Sequence, residues 1–197
     1  MKPLVFESLY YGVFLGGFIV LLTASEMIDS LRRPAEPKAK NRDRGSYLLI
    51  SLSLPVGLFL GGLLAWNFPN LALPGPRVFL FWLGIGIMIF GAGFRWYAIR
   101  VLGKFFTRTV KVRKGQKVVE DGPYKFIRHP AYTGVILTLA GIGVAMGHSL
   151  ALLSLLVFGI ASRFYRVLIE EKALSEGLGK AYKDYMLRTK RFIPFIW

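Results

Sequence analysis

This 197-residue chain has no cysteine, so a disulfide framework, a thiolate zinc site and a cysteine nucleophile are all excluded. Its two histidines, His129 and His148, are too few for a histidine-built metal centre, and no metal is expected. No G-x-G-x-x-G stretch lies between a strand and a helix, and no P-loop occurs. Gly84-Ile85-Gly86 and Gly141-Ile142-Gly143 sit inside apolar runs, so a Rossmann-held nucleotide is not expected. There is no Ser/Pro/Gly linker and no change of composition, and the chain reads as one unit, 1–197. Acid is scarce as well, with 11 Asp and Glu against 26 Lys and Arg.

Hydrophobic residues make up 54% of the chain, aromatics 15%, and the mean hydropathy is +0.48. These values describe an all-α, polytopic membrane bundle rather than a soluble domain. The net charge of +15 would suit nucleic acid in a soluble protein, but its distribution matters more than its sum. Basic residues crowd three stretches: Arg32 to Arg44, Arg100 to Arg128, and Arg163 to Arg191. The connections near 67–75 and 146–149 carry none. Cations on alternate connections follow the positive-inside rule, which excludes nucleic acid as the partner and makes the bilayer one.

The spacing predicts five spans, at about 6–28, 46–66, 78–99, 130–147 and 149–169, with the N-terminus outside. Cytoplasmic parts at about 103–129 and 170–197 are expected to cover a site. A signal peptide is a poorer reading of the first span, which has only Lys2 ahead of it and Glu26 and Asp29 behind. Arg95, near the inner end of span three, is expected to snorkel to the interface. The uncharged run 131–162 exceeds one crossing of about 20 residues but falls short of two plus a turn. If it turns at Gly147-His148-Ser149, the returning helix must continue past Ser162 and carry Arg163 and Arg166 to the membrane boundary. Charges at that depth face protein or water and mark function.

Two clusters flank that run. In the first, Asp121-Gly122-Pro123 breaks the chain, and Pro130 starts a helix beside His129. His129 shares a face with Tyr132 and Thr133, and the helix start presents backbone N–H groups suited to a carboxylate or phosphate. Taken alone, Tyr124, Arg128, His129 and Tyr132 would equally suit an interfacial belt. In the second cluster, Arg163, Arg166 and Glu170 fall on one helical stripe, with Glu171 about 100° away. On a surface such an i,i+4 pair contributes only about 0.3–0.5 kcal/mol. At the mouth of a membrane helix it faces inward, where an arginine clamps a carboxylate.

The ordered pieces Gly122-Pro123-Tyr124, Arg128-His129-Pro130-x-Tyr132-x-Gly134, Arg166-x-x-x-Glu170-Glu171-x-x-Leu174, Gly179-x-x-Tyr182-x-x-Tyr185 and Arg191-Phe192-x-Pro194 resemble the isoprenylcysteine carboxyl methyltransferase family. The resemblance covers the C-terminal half from Lys111 onward, and the first three spans offer nothing comparable. It implies S-adenosylmethionine as cofactor, leaving as S-adenosylhomocysteine, bound on the cytoplasmic side. His129, Pro130, Ala131 and Tyr132 would line it, with Lys111 in the preceding loop, Glu170 at its polar end, and Tyr124, Gly141 and Glu171 as lesser contacts. Arg166, with Arg163 beside it, would take the carboxylate of a lipid-modified, isoprenylcysteine-like acceptor. Arg166 and Glu170 are the residues expected to carry the reaction. Related alternatives are methylation of a phospholipid or other amine, and more remotely a membrane reductase or a non-catalytic bundle.

Overall fold

A computed structural model describes residues 2–32, 45–107, 110, 112 and 115–193. Among these the chain is helical, with two isolated β-bridges. A single turn, α1 (Leu4–Glu7), leads into α2 (Leu9–Arg32), followed by α3 (Ser46–Asn67), α4 (Arg77–Leu102), α5 (Pro130–Ala145), α6 (Ser149–Leu178) and α7 (Lys180–Arg188). Among the described residues three helices are long and apolar enough to cross a bilayer: α3, α4 with the turn after it, and α6. The apolar parts of α2 and α5 are shorter. The protein is an integral-membrane, multi-pass helix bundle.

The helix ends follow from local chemistry. Pro130 at the first position of α5 gives up an N–H that would be unpaired there anyway. Gly147, at φ +64°, makes the reversal into α6 in a backbone region where a side chain is strained. α6 then runs uninterrupted past Ser162 to Leu178, well beyond the uncharged run.

Close packing of α4 on α5 rests on small residues seven apart. A side chain at Gly84 would collide with Gly141 and Ala145, and one at Gly91 with Gly134 and Thr138; Gly134 and Gly141 meet the backbone of Arg95 and Met88 in return. Gly57 and Gly61 on α3 do the same against Leu155, Ser154 and Ala151 of α6. Among lipid-soluble segments such packing, rather than water exclusion, holds helices together. Phe81, Met88, Leu139, Ile142 and Leu155 fill the core, and Leu15 of α2 joins them.

The bundle has two distinct ends. At the far end the connections meet, with Leu73 N–H bonding the Gly147 carbonyl at 2.9 Å and Ala72 bridging His148. His148 is fully buried there, one ring nitrogen 2.9 Å from the Phe68 carbonyl. This end also holds two cations, each with a partner: Arg77 pairs with Glu7 at 2.6 Å, and Lys2 lies 3.4 Å from the Trp66 ring centre. The start of α5, the last third of α6, and α7 gather at the opposite end.

Candidate functional site

The polar groups at that opposite end converge on a cavity of about 640 Å³ walled by α2 to α7. Arg166 is 2% exposed although fully charged in chemistry, so its surroundings must hold it. Its Nε donates to Glu170 Oε1 at 2.8 Å and its Nη1 to Ser46 Oγ at 2.9 Å. Tyr132 donates its hydroxyl to the same Glu170 oxygen at 2.7 Å. Arg163, one turn deeper, donates to Ser53 Oγ at 2.6 Å and to Ser162 Oγ at 3.0 Å. Arg163, Arg166 and Glu170 all line the cavity.

His129 stacks on Tyr132, with ring centres 5.8 Å apart and planes 27° from parallel. Its Nδ1 lies 3.8 Å from Glu170 Oε2 and its Nε2 3.4 Å from Glu171 Oε1. The Nε2 contact is too poorly aligned for a hydrogen bond, which leaves that buried nitrogen without one. The two adjacent glutamates thus flank one imidazole but serve different neighbours. Glu171 accepts from Arg128 Nε at 2.9 Å and Arg191 Nη2 at 3.0 Å and does not line the cavity.

Arg128 binds the C-terminal segment from below, donating to the Met186 carbonyl at 3.0 Å and to the Thr189 carbonyl. The segment after α7 crosses the start of α5 as a strap. Arg128 N–H donates to the Lys190 carbonyl at 2.7 Å, His129 N–H to that of Arg191 at 3.1 Å, and Thr133 Oγ1 to that of Phe192 at 2.9 Å. The N–H groups of Tyr132 and Thr133 return to the His129 carbonyl. The helix start expected to be open to an anion is therefore largely satisfied by the protein's own chain.

Tyr124, Tyr182 and Tyr185 form the wall nearest the strap, and Tyr185 donates to the Tyr124 carbonyl at 2.7 Å. Burial pushes all three phenols above the usual range.

Of the other sequence-nominated residues, Ala131 lines the cavity, while Pro130 is buried at the helix start and does not. Gly141 lies against Gly84 and Met88 of α4, off the cavity, where a Cβ would collide. Lys111 and Pro194 lie outside the described residues. Arg95, expected to snorkel, instead lines the cavity and points Nη1 at the Ala131 carbonyl, 3.5 Å away. As the one cation inside the third apolar run, it was detectable by the rule that intramembrane charge marks function. Ser46 and Ser53 gave no such signal, because serines in an apolar helix are ordinary.

Residues 82–176 match the model of the isoprenylcysteine carboxyl methyltransferase (ICMT) family. Over that segment the chain is similar to that family. Protein-S-isoprenylcysteine O-methyltransferase B of Arabidopsis thaliana is 30% identical, the alignment covering 57% of this chain and 58% of the relative. The protein-S-isoprenylcysteine O-methyltransferase of Dictyostelium discoideum is 32% identical over 62% of this chain and 53% of the relative. The structure titled eukaryotic intramembrane Ras methyltransferase ICMT superposes with TM-score 0.57 at 26% identity, covering 74% of this chain and 52% of that one. This chain thus aligns with about half to three fifths of each of them. The family match begins inside α4, earlier than the motifs around Lys111 indicate, and takes in α5 and most of α6.

Proposed function

We propose that the protein is a membrane-embedded, S-adenosylmethionine-dependent carboxyl methyltransferase acting on a lipid-modified, isoprenylcysteine-like acid. One observation carries this reading: a single cavity joins a polar, aromatic end at Tyr124, His129, Tyr132, Glu170 and Tyr182 to an apolar end at Ile19, Leu54 and Ile142, with Arg166 between them.

The polar end suits the donor. Aromatic faces favour a cation, Glu170 is a carboxylate for its ammonium or ribose, and His129 Nε2 is a buried polar atom without a hydrogen bond. Bound there, the donor supplies a methyl group on a sulfonium sulfur, transferable by in-line displacement. The protein's task is then alignment, which accounts for much of such an acceleration. A carboxylate acceptor, with a reference pKa of about 3.5, is already ionised at neutral pH and needs no general base. Arg166, held by Glu170 and Ser46, orients it in a water-poor site.

The same geometry disfavours an amine acceptor, which must first lose a proton. His129 is the neighbouring group suited to take it, yet both its ring nitrogens sit within 4 Å of carboxylate oxygens. For a carboxylate acceptor, which needs no base, rates should be flat through neutral pH. The basic segments argue for placing the site on the cytoplasmic side, with the acceptor entering sideways from the bilayer.

Titration of detergent-purified protein with S-adenosylmethionine and S-adenosylhomocysteine should show saturable binding of both. Absence of binding by either would overturn the reading.

A further inference from the structure

The outer edge of the strap carries a face that the cavity does not use. Leu187, in the last turn of α7, is 86% exposed and shares the open side of that helix with Lys183 and Asp184. Phe126 and Ile193 are 50% and 49% exposed. The backbone brings these apolar side chains to one edge: Lys190, three residues after Leu187 and three before Ile193, donates its N–H to the Phe126 carbonyl at 3.2 Å. Lys125 and Lys190, both exposed, belong to the same two segments. Other cations of this edge are already engaged. Arg188 pairs with Glu120 at 3.0 Å and Arg191 with Glu171 at 3.0 Å, while Asp184 follows Lys183 directly. Among the described residues, neither Lys125 nor Lys190 has a carboxylate within 4.0 Å.

The depth of this face follows from α5. Thr133, three residues after Pro130, donates to the Phe192 carbonyl at 2.9 Å, so the end of the strap reaches about 4.5 Å past the helix start. The uncharged run 131–162 begins at that level, which is where headgroups meet the apolar span. Arg191 carries the edge across to α6, its guanidinium 5.7 Å from the Phe164 ring centre, and one turn further on Leu168 is 44% exposed. The exposed apolar surface of a membrane-crossing helix therefore runs into the exposed apolar side chains of the strap. An anionic leaflet fits both halves of the face, with phosphate for the lysines and the headgroup boundary for the apolar tips.

We propose that Lys125, Phe126, Leu187, Lys190 and Ile193 form a docking face for anionic phospholipid headgroups of the adjoining leaflet, and that docking holds the strap down across the start of α5. The carbonyls of Lys190 and Arg191 take the N–H groups of Arg128 and His129, so lipid charge sets how firmly that wall of the cavity stays in place. The inference goes beyond the methyltransferase reading and holds without it.

The test uses full-length protein, one copy per nanodisc, in phosphatidylcholine alone or with about one third phosphatidylglycerol. Backbone hydrogen exchange over 186–193 is read by mass spectrometry, with 150–160 of α6 as the control for folding. A lysine near an anionic surface favours docking about fivefold, so the two together should slow exchange of the strap at least tenfold in the anionic discs. Salt at about 0.5 M should return it toward the phosphatidylcholine rate. Lys125→Gln combined with Lys190→Gln should abolish the difference between the lipids with α6 unchanged, because the strap bonds of Lys190 are made by its backbone. If that double variant folds poorly, Lys125→Gln alone, outside the strap, should remove about fivefold of the protection. Leu187→Ser should speed exchange in both lipids. Equal exchange in the two lipids, or a lipid effect that survives the lysine substitutions, overturns the proposal. Protection that appears only with two copies per disc would assign the face to a second copy of the chain and overturn it as well.

Discussion

One oxygen, Glu170 Oε1, receives both the Tyr132 hydroxyl and the Arg166 Nε, and this sharing makes the site a unit rather than a set. Glu171 is next in sequence but about 100° around the helix, and it holds Arg128 and Arg191 instead. The two glutamates therefore predict different failures. Glu170→Gln should weaken S-adenosylmethionine binding at least tenfold by calorimetry with little change in melting temperature; wild-type affinity would remove Glu170 from the site. Glu171→Gln leaves the buried Arg128 without its carboxylate, a class of loss that costs about 3–5 kcal/mol. It should lower the melting temperature and free the strap to proteolysis. Arg166→Ala should abolish turnover while cofactor binding largely persists, and unchanged kcat would sink its assigned role. Because Tyr132 and Arg166 meet on one atom, a Tyr132→Phe, Glu170→Gln double mutant should fall well short of additivity.

The α4–α5 pair shows what an element can reveal that a residue cannot. Gly86 faces open space, whereas Gly84, two positions earlier, touches the backbone of α5. Gly141→Leu should therefore force α4 and α5 apart and cost about 1–3 kcal/mol or more in thermal unfolding, with Gly86→Leu near neutral. If Gly141→Leu instead changed cofactor affinity at unchanged stability, its packing role would be wrong. α7 makes a second element-scale prediction. Tyr124, Tyr182 and Tyr185 have folded-state pKa values raised by burial, so the stability they contribute is complete below about pH 10, the unfolded value. It is lost as pH rises through the raised values. Tyrosinate absorbance should show exposed phenols ionising first and these three later, in step with release of α7. The helix ends were legible in the sequence because Pro130 and Gly147 are local signals, and the continuation of α6 followed from counting residues against the bilayer. The glycine contacts between α4 and α5 were not legible, since a seven-residue spacing on two helices acquires meaning only once the helices are known to be partners. The strap was hidden for the same reason: Lys190 to Phe192 pairs with residues some sixty positions earlier.

At the scale of the whole molecule, the asymmetry of charge needs an orientation to act on. The site end gathers Arg128, Arg163, Arg166 and Arg191, while the described far-end cations are spoken for by Glu7 and Trp66. Those same two contacts hold the N-terminal residues against the far ends of α3 and α4, so α2 must run the length of the bundle to reach the cavity that Ile19, Leu22 and Met27 help to line. We propose from this that the N-terminus lies on the same side as the 67–77 connection, with an odd number of crossings. The absence of cysteine makes this directly measurable, because a single introduced thiol is the only one present. Lys2→Cys and Asn70→Cys should react together with a membrane-impermeant maleimide applied to intact cells. Lys183→Cys, exposed on α7, should react only after the membrane is opened. Labelling of Lys2→Cys with Lys183→Cys would show that α2 does not cross. Labelling of Lys183→Cys alone in intact cells would put the site outside, where S-adenosylmethionine is not made, and the proposed reaction would lose its donor.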